Sequence, residues 1–499
     1  MTRVTAANTG ALHWTLWPVL MAALVLPLAH LGLDHLLAGF NWDDAIYLLM
    51  ADAYFGRLDD IPVLEQTVFA WRSYPPLYPL LIGLFGGGAT QLETAFVVNA
   101  AAGGAAVVLL YCYARQLTGN LILSAQAALI LALTPAALSY ANGLWSENLF
   151  IPMSLCALLI ARSRARHAII FSALLFALAA ITRTAGIAYC LGFTAWLAST
   201  KPEHWKVAGV IACLIPIAER TLNQGTYLAL ISGRDFSASA MAGELYGNAS
   251  ALVVGFAHNW AFHGAFSIAL GTLVFALAAW ALIQRRFALE ALLLATYCVS
   301  ITLWGYPEQA ARFVYPLMPL TLVLALTGAS SLPAQRRFNI AAFIVLLAVG
   351  GSSAQHLLAR WTAAPPDLPN SLRMSHAFLF AADPQSAHAQ ARYRAQIVRD
   401  IQHIETVVQP RECVVSELPA LVLLHARRAA TPSPWPSWGS LAENRHTPCR
   451  YYYALPAYFP GETLDVVSGL GATPLFVSPG YDPQAPGAPT GVLFDFFTN

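Results

Sequence analysis

Long apolar stretches separated by short polar connections dominate the first 358 residues. An apolar helix of about 20 residues crosses the hydrocarbon core of a bilayer, and somewhat shorter helices suffice in crowded regions. The first stretch lacks a small-residue cleavage site, and we expect it to remain as a membrane anchor. By the length criterion, about eleven membrane-spanning helices are predicted, at residues 15–36, 92–114, 121–138, 147–161, 168–182, 186–198, 207–222, 259–283, 289–304, 312–330 and 340–358.

Basic residues in the short connections predict the orientation of these helices. Lys and Arg collect on the cytoplasmic side of membrane proteins, and here they fall on one side if the spans alternate, with acidic residues opposite. We therefore expect a multi-pass protein of the bacterial cytoplasmic membrane with a cytoplasmic N-terminus and an outer C-terminal segment. The basic residues are Arg3, Arg115, Arg162, Arg164, Arg166, Lys201, Lys206, Arg285, Arg286, Arg336 and Arg337.

Two outer loops are too long to be simple connections, and their apolar and aromatic residues argue against disorder. In the first loop, the apolar spacing over residues 46–53 predicts a helix on the membrane surface, with Asp44 and Asp52 off its apolar face. The segment 75–85 is too short for a span and predicts a second helix at the outer interface. The loops cover residues 38–91 and 223–258.

The composition changes at about residue 359, where Pro, Arg, His and Gln rise and apolar runs of span length end. We expect a membrane domain over residues 1–358 and a small α/β domain over 359–499 on the outer face. If that compartment is oxidising, a disulfide between Cys413 and Cys449 is allowed. The predicted elements of this domain are helices at 391–408 and 419–425 and strands at 413–416, 450–454 and 474–478.

The overall composition agrees with an all-α polytopic membrane protein carrying this small domain. The chain is 57% hydrophobic and only 11% charged, whereas soluble domains carry roughly 25% charged residues. A net charge of +1 provides no field for binding nucleic acid. Neither a zinc-type Cys/His spacing nor a glycine-rich nucleotide-binding motif is present in the sequence.

The densest group of chemically active residues follows the first span, where Asp43 and Asp44 stand side by side. Two adjacent carboxylates repel each other, which raises one pKa unless a cation, a metal or a hydrogen-bond donor compensates. A carboxylate here suits a general base that takes a proton from an acceptor hydroxyl. Capping of the surface helix by Asp43 is the competing interpretation. Downstream, Tyr74-Pro75-Pro76-Leu77-Tyr78 predicts a rigid corner that could aim the loop at a site.

Three arginines at outer membrane ends form a second group, namely Arg183, Arg220 and Arg312. Each arginine could extend to lipid headgroups. Three arginines on one membrane face, opposite the loop that carries Asp43 and Asp44, favour an anionic ligand instead, because a guanidinium matches the geometry of a phosphate. Glu219 could simply pair with Arg220. Glu147, at a loop–helix junction, is either a favourable charge at a helix N-terminus or part of the same site.

These motifs, in this order, resemble those of the GT-C superfamily of integral-membrane glycosyltransferases, in the branch of protein O-mannosyltransferases and bacterial aminoarabinose transferases. Asp43-Asp44-Ala45-Ile46-Tyr47 resembles the acidic start of that family's first outer loop, although the family usually has Glu as the second acid. Tyr74–Tyr78 resembles its proline corner, where Lys or His often stands in place of Ser73-Tyr74. The resemblance continues at Ile181-Thr182-Arg183-Thr184 and at Arg312-Phe313-Val314-Tyr315-Pro316-Leu317-Met318-Pro319.

The resemblance implies transfer of a sugar from a polyprenyl-phosphate carrier to an acceptor hydroxyl on the outer face. Asp43 matches the catalytic aspartate, with Asp44 beside it, and some relatives use a divalent metal, which Asp43 and Asp44 could hold. An anionic phosphate leaves without protonation, so one base and cationic donors suffice and inversion is expected. The acceptor, whether lipid, glycan or protein, stays open. The predicted substrate-binding residues are Arg183, Arg312, Glu147, Tyr74, Tyr78 and Arg220.

Two other functional classes compete with this hypothesis. A secondary transporter would show repeated halves with broken helices, whereas here no repeat is evident and the acidic residues gather in outer loops. A non-catalytic membrane assembly subunit on the same scaffold would not depend on Asp43.

Overall fold

The structure is a computed structural model. It describes residues 7–41, 43–58, 74–222, 238–285, 288–303, 307–330, 335–364, 368–373, 375–380, 384–432, 449–455, 471–480 and 489–495. At several helix ends within these ranges only the backbone is described, and Glu219 and Arg220 are among those residues.

Helices form nearly all of the described membrane domain, because in lipid each backbone polar group must be satisfied within its own segment. Short 3₁₀ turns at Pro307–Gln309 and Tyr315–Leu317 flank the fourteenth helix. The helices are α1 (Ala7–Leu28), α2 (Asp43–Tyr54), α3 (Leu77–Leu84), α4 (Leu92–Thr118), α5 (Leu121–Leu133), α6 (Pro135–Ala141), α7 (Glu147–Ala161), α8 (Ala168–Ala180), α9 (Gly186–Thr200), α10 (Trp205–Leu222), α11 (Ala238–His258), α12 (Gly264–Arg285), α13 (Ala288–Thr302), α14 (Ala310–Val314), α15 (Met318–Ser330) and α16 (Gln335–Ala363).

Within the described residues, four helical segments are long and apolar enough to cross a membrane, or five if the bent pair α5 and α6 forms one span. Other predicted spans correspond to apolar helices of 10–17 residues, such as Glu147–Ala161 and Ala168–Ala180. The count of about eleven crossings stays a prediction. The four long segments are Leu92–Thr118, Gly264–Gln284, Ala310–Ser330 and Arg337–Ala363.

The predicted span at 121–138 is broken at Thr134, where α5 ends and α6 begins at an angle of 59°. Thr134 is extended, and its hydroxyl accepts a hydrogen bond from the Ala137 N–H at 3.2 Å. Pro135 occupies the first position of α6, where a missing N–H costs nothing. The bend directs α6 towards the loop that precedes Glu147.

The second part of the predicted outer loop 223–258 is helical, since α11 runs there for 21 residues. Gly and Asn keep this segment less apolar than its neighbours, which hides the helix in a hydropathy pattern. Gly255 lets α11 approach α14 closely, since a Cβ there would lie 2.8 Å from the Ala311 nitrogen. Residues 223–237 lie outside the described part of the chain.

A small α/β domain follows α16. Its helices are α17 (Asn370–Arg373), α18 (His376–Leu379), α19 (Pro384–Val407) and α20 (Pro419–Ala426). The strands are β1 (Cys413–Ser416), β2 (Ala429–Pro432), β3 (Tyr451–Ala454), β4 (Thr473–Val477) and β5 (Val492–Asp495), in the order β2-β1-β3-β5-β4.

The sheet is mixed. Strand β1 is parallel to β2 and β3, and β5 is antiparallel to β3 and β4. A disulfide joins Cys413, in β1, to Cys449, just before β3. Three of the strands and both of the longer helices lie at the places where the sequence predicts them.

The apolar spacing predicted that α2 lies on the membrane surface, but α2 is buried within the protein. Residues 44–52 are all buried, so Asp44 and Asp52 lie inside with the apolar face. One side of α2 packs on α3 and another on α20, and their side chains share one core with β1 and β3. The C-terminal domain therefore covers the segment that begins with Asp43, a long-range contact that local periodicity does not encode.

Candidate active site

Four charged residues from separate parts of the membrane domain meet at one end of the helices. Asp43 is the first residue of α2, and Glu147 is the first residue of α7. Arg183 lies in the turn between α8 and α9, and Arg312 lies in α14. The sequence predicted all four as site residues, and the structure brings them together.

The turn that carries Arg183 is tight. The Arg183 N–H donates to the Ala179 carbonyl at 3.1 Å, and the Gly186 N–H donates to the Arg183 carbonyl at 2.8 Å. A Cβ at Gly186 would lie 2.6 Å from the Cα of Ala180, so only glycine permits this close return of the chain. The turn presents the Arg183 side chain, which is 9% exposed, towards Glu147.

Glu147 is fully buried and is paired with two guanidinium groups. Arg183 Nη1 lies 2.5 Å from Glu147 Oε1, and Arg312 Nε donates to the same oxygen. Arg312 Nη2 lies 3.5 Å from Oε2. A buried carboxylate is tolerated only when it is paired and hydrogen-bonded, and Glu147 in turn holds two cations close together despite their mutual repulsion.

Asp43 extends this set of charges towards solvent. Its Oδ2 lies 2.5 Å from Arg312 Nη1, and its Oδ1 accepts a hydrogen bond from the Tyr74 hydroxyl at 2.9 Å. The side chains of Arg312 and Asp43 are 12% and 17% exposed, against none for Glu147. Arg312 thus bridges a closed carboxylate and an accessible one, and this arrangement differs from the helix-capping role considered for Asp43.

Aromatic side chains enclose the two arginines. The Arg312 Cζ lies 4.2 Å from the ring centroid of Trp145, and the Arg183 Cζ lies 5.3 Å from that of Phe313. Such faces stabilise guanidinium groups without competing for their hydrogen bonds. Sequence analysis did not single out these rings, although each stands within two residues of a predicted charged residue.

Tyr47 is a further residue that sequence reasoning missed as part of the site. It lies one helical turn after Asp43, is 2% exposed and forms a hydrogen bond with the Ser146 side chain. Burial raises the pKa of the Tyr47 phenol, and the nearby negative charge of Asp43 adds to that rise. The spacing of four residues, which places both side chains on one helix face, was the available signal.

Tyr78, predicted as a substrate-binding residue, lies behind the cluster. It is 1% exposed, and its hydroxyl donates to Asn99 Oδ1 at 2.6 Å. Asn99 Nδ2 donates to the Gly143 carbonyl at 2.6 Å, and the Trp145 N–H donates back to Asn99 Oδ1 at 3.3 Å. This network supports the loop that leads into Glu147 and contributes no exposed surface.

Asp44 is turned away from Asp43 and into the protein. Its Oδ1 accepts the N–H groups of Asn41 and Ala45, and its Oδ2 accepts the Asn41 amide. Burial raises the Asp44 pKa to about 6, and these backbone donors partly oppose the rise. Asp44 therefore fastens the start of α2.

The two aspartates do not fit a shared divalent metal ion. The Asp43 oxygens face Arg312 and Tyr74, and those of Asp44 face N–H groups. Among the described residues, no group of three or more His, Cys, Asp or Glu side chains is placed to hold a metal. The remaining predicted residue, Arg220, has its side chain outside the described part of the chain.

Comparisons with known proteins identify the fold. No protein-family profile and no curated protein matches the sequence. The structure is similar to the crystal structure of ArnT from Cupriavidus metallidurans bound to undecaprenyl phosphate, with a TM-score of 0.57 and 14% identity over 97% of this chain and 98% of that one. It is also similar to the apo form of ArnT, with a TM-score of 0.56 and 15% identity over 98% of each chain. These likenesses show that the fold of this chain is that of ArnT.

Proposed function

We propose that this protein is an integral-membrane glycosyltransferase that moves a sugar from a polyprenyl-phosphate carrier to an acceptor hydroxyl. The observation that carries the proposal is the contact of Arg312 with both Asp43 and buried Glu147. A proton acceptor and two guanidinium groups stand together at one end of a bundle of apolar helices. The fold of ArnT, one of whose structures holds undecaprenyl phosphate, supports the same donor class.

In the proposed reaction, Arg312 and Arg183 hold the phosphate that links the sugar to its lipid. The acceptor oxygen attacks the anomeric carbon, its proton passes to the Asp43 carboxylate, and the bond from that carbon to the phosphate oxygen breaks. The electron pair of this bond stays on the phosphate, where the guanidinium charges stabilise it. Since attack and departure occur on opposite faces, the configuration inverts.

The charges of the cluster fit this chemistry. Two arginines and two carboxylates cancel, so the four side chains together carry no net charge. When a phosphate replaces Asp43 as the partner of Arg312, the carboxylate loses its cation and becomes a better proton acceptor. The phosphate thereby prepares the base for the acceptor.

For the topology, we propose about eleven crossings, a cytoplasmic N-terminus and an extracytoplasmic C-terminal domain in the bacterial inner membrane. This orientation puts Asp43, Glu147, Arg183 and Arg312 on the outer side. It also puts the Cys413–Cys449 disulfide in a compartment where disulfides persist.

The test is transfer of label from radiolabelled polyprenyl-phosphate sugars by the purified full chain in lipid vesicles supplied with membrane extract. Asp43→Asn removes the base, and we expect a loss of about 10²–10⁴-fold, the usual contribution of general base catalysis. Asp59→Asn, in the same outer loop, is the matched control and should retain activity.

Equal rates in the two variants would contradict the proposed role of Asp43. Normal function of Asp43→Asn in cells would favour a non-catalytic assembly subunit. Movement of a solute across the vesicle membrane without label transfer would favour a transporter.

A further inference from the structure

The two oxygens of Asp43 have different partners. Arg312 occupies the side of Oδ2 at 2.5 Å, and the Tyr74 hydroxyl donates to Oδ1 at 2.9 Å. The proposed function places the phosphate on Arg312 and therefore on the Oδ2 side. Inversion requires the acceptor to approach from the face of the sugar opposite the phosphate, and the proposed function therefore puts the acceptor on the Oδ1 side, next to Tyr74.

Tyr74 is suited to stand between the acceptor and Asp43. A phenol hydroxyl donates one hydrogen bond and accepts others at the same oxygen, so Tyr74 can donate to Asp43 while accepting from an acceptor hydroxyl. Its side chain is only partly buried, whereas Tyr78, four residues later, is 1% exposed and directed at Asn99.

The backbone holds this phenol in place. Pro75 and Pro76 follow Tyr74 and restrict its conformation and their own. The Leu77 N–H donates to the Ile181 carbonyl at 3.2 Å, which ties the corner to the turn that carries Arg183. The ring of Tyr47 meets that of Tyr74 edge-on at a centroid distance of 5.5 Å.

We propose, on the basis of the function proposed above, that Tyr74 is a catalytic residue that relays the proton of the acceptor hydroxyl to Asp43. The acceptor proton passes to the Tyr74 oxygen while the phenol proton passes to Asp43 Oδ1. The acceptor oxygen forms its bond to the anomeric carbon, and the bond to the phosphate oxygen breaks. The phenol ends neutral, Asp43 ends protonated, and the phosphate carries the electron pair.

The relay predicts that Tyr74→Phe lowers the single-turnover rate of label transfer by about 10²-fold, the lower end of general acid–base effects, with an unchanged KM for the lipid-linked donor. Tyr54→Phe, at the exposed end of α2, is the matched control and should keep the wild-type rate. Melting temperatures of both variants report whether each has folded.

A positioning role for Tyr74 would also slow the reaction, so two further measurements separate the roles. In mixtures of H₂O and D₂O, a relay moves two protons and gives a curved dependence of the rate on the deuterium fraction, which becomes linear in Tyr74→Phe. Fluorotyrosine at position 74 makes the phenol more acidic and should move the basic limb of the pH–rate profile to lower pH.

A wild-type rate in Tyr74→Phe, or a linear dependence in the wild-type protein, would overturn the relay. If Asp43→Asn is inactive at the same time, the proposed function stands without the relay. If the wild-type protein transfers no label, both proposals fall together.

Discussion

Buried carboxylates stand at both ends of α7, and they have different surroundings. At the first residue of the helix, Glu147 binds Arg183 and Arg312, and Arg312 reaches on to Asp43. Beyond the last residue, Arg162 pairs with Glu290 of α13, with Nη2 2.5 Å and Nε 2.9 Å from Oε1. Tyr113 of α4 donates to the same oxygen.

The difference separates a single ion pair from a cation that two carboxylates share. In the naming of the proposed topology, the inner group is Tyr113, Arg162 and Glu290, and the outer group is Asp43, Glu147, Arg183 and Arg312. The inner group joins three helices with one cation and one anion, and its contacts meet at Glu290 Oε1. The outer group contains a second carboxylate, Asp43, that is more exposed than Glu147 and whose cation can accept another anion. Burial of charge alone therefore does not mark the functional end, whereas a second, partly exposed carboxylate on the shared cation does.

The largest expected effect comes from removing the shared cation of the outer group. Arg312→Met deprives the carrier phosphate, and the negative charge that develops on it, of their main hydrogen-bond donor. We expect label transfer to fall by about 10³-fold. Arg162→Met, at the inner end, should leave the transfer rate per folded molecule unchanged. The measurement is single-turnover transfer, normalised to the folded fraction from size-exclusion chromatography. Equal losses in both variants would show that the two ends do not differ in function.

Much of the outer group could be predicted from the sequence, because charged residues near span ends are costly and few. Asp43, Glu147, Arg183 and Arg312 were all predicted, and the structure joins them. The predicted orientation of Asp44, off the apolar face of α2, is wrong. Neighbouring helix residues point about 100° apart, and only the tertiary structure decides which one faces the site.

Long-range contacts account for what sequence analysis did not predict. Glu290 was read as part of an apolar span, because its partners Arg162 and Tyr113 lie more than 120 residues away. The burial of α2 under α20 likewise has no local signature. Strand β2 was missed because its sequence, Ala-Ala-Thr-Pro, has little strand propensity and ends in Pro432, and β5 was missed although it is apolar.

The second expected effect is on stability and belongs to the inner group. Glu290→Gln leaves the Arg162 guanidinium without its anion. Removing one partner of a fully buried pair costs about 3–5 kcal/mol of stability. Since the Arg162 side chain is 29% exposed and can reach water, we expect the free energy of unfolding to fall by about 2–3 kcal/mol. The measurement is the loss of helical signal on heating in detergent.

Asp43→Asn is the matched variant at the outer end. It should change the melting temperature little, because Asp43 is partly exposed and Arg312 keeps Glu147 as its partner. A stable Glu290→Gln protein together with an unstable Asp43→Asn protein would reverse the roles assigned to the two ends.

The smallest expected effect compares one phenol from each end. Tyr113→Phe removes a single donor to Glu290, which keeps Arg162, and should lower the free energy of unfolding by about 1 kcal/mol without slowing transfer. Tyr47→Phe removes a hydrogen bond to Ser146 beside Arg312 and Asp43. A similar loss of stability is expected there. The transfer rate should also fall, by roughly 3–10-fold, because the hydrogen-bond donors around Asp43 are then held less firmly. Both variants keep the ring and its packing. A fall in the transfer rate confined to Tyr47→Phe would therefore show that transfer depends on the outer group alone. An equal fall in Tyr113→Phe would mean that the two groups are coupled through α7.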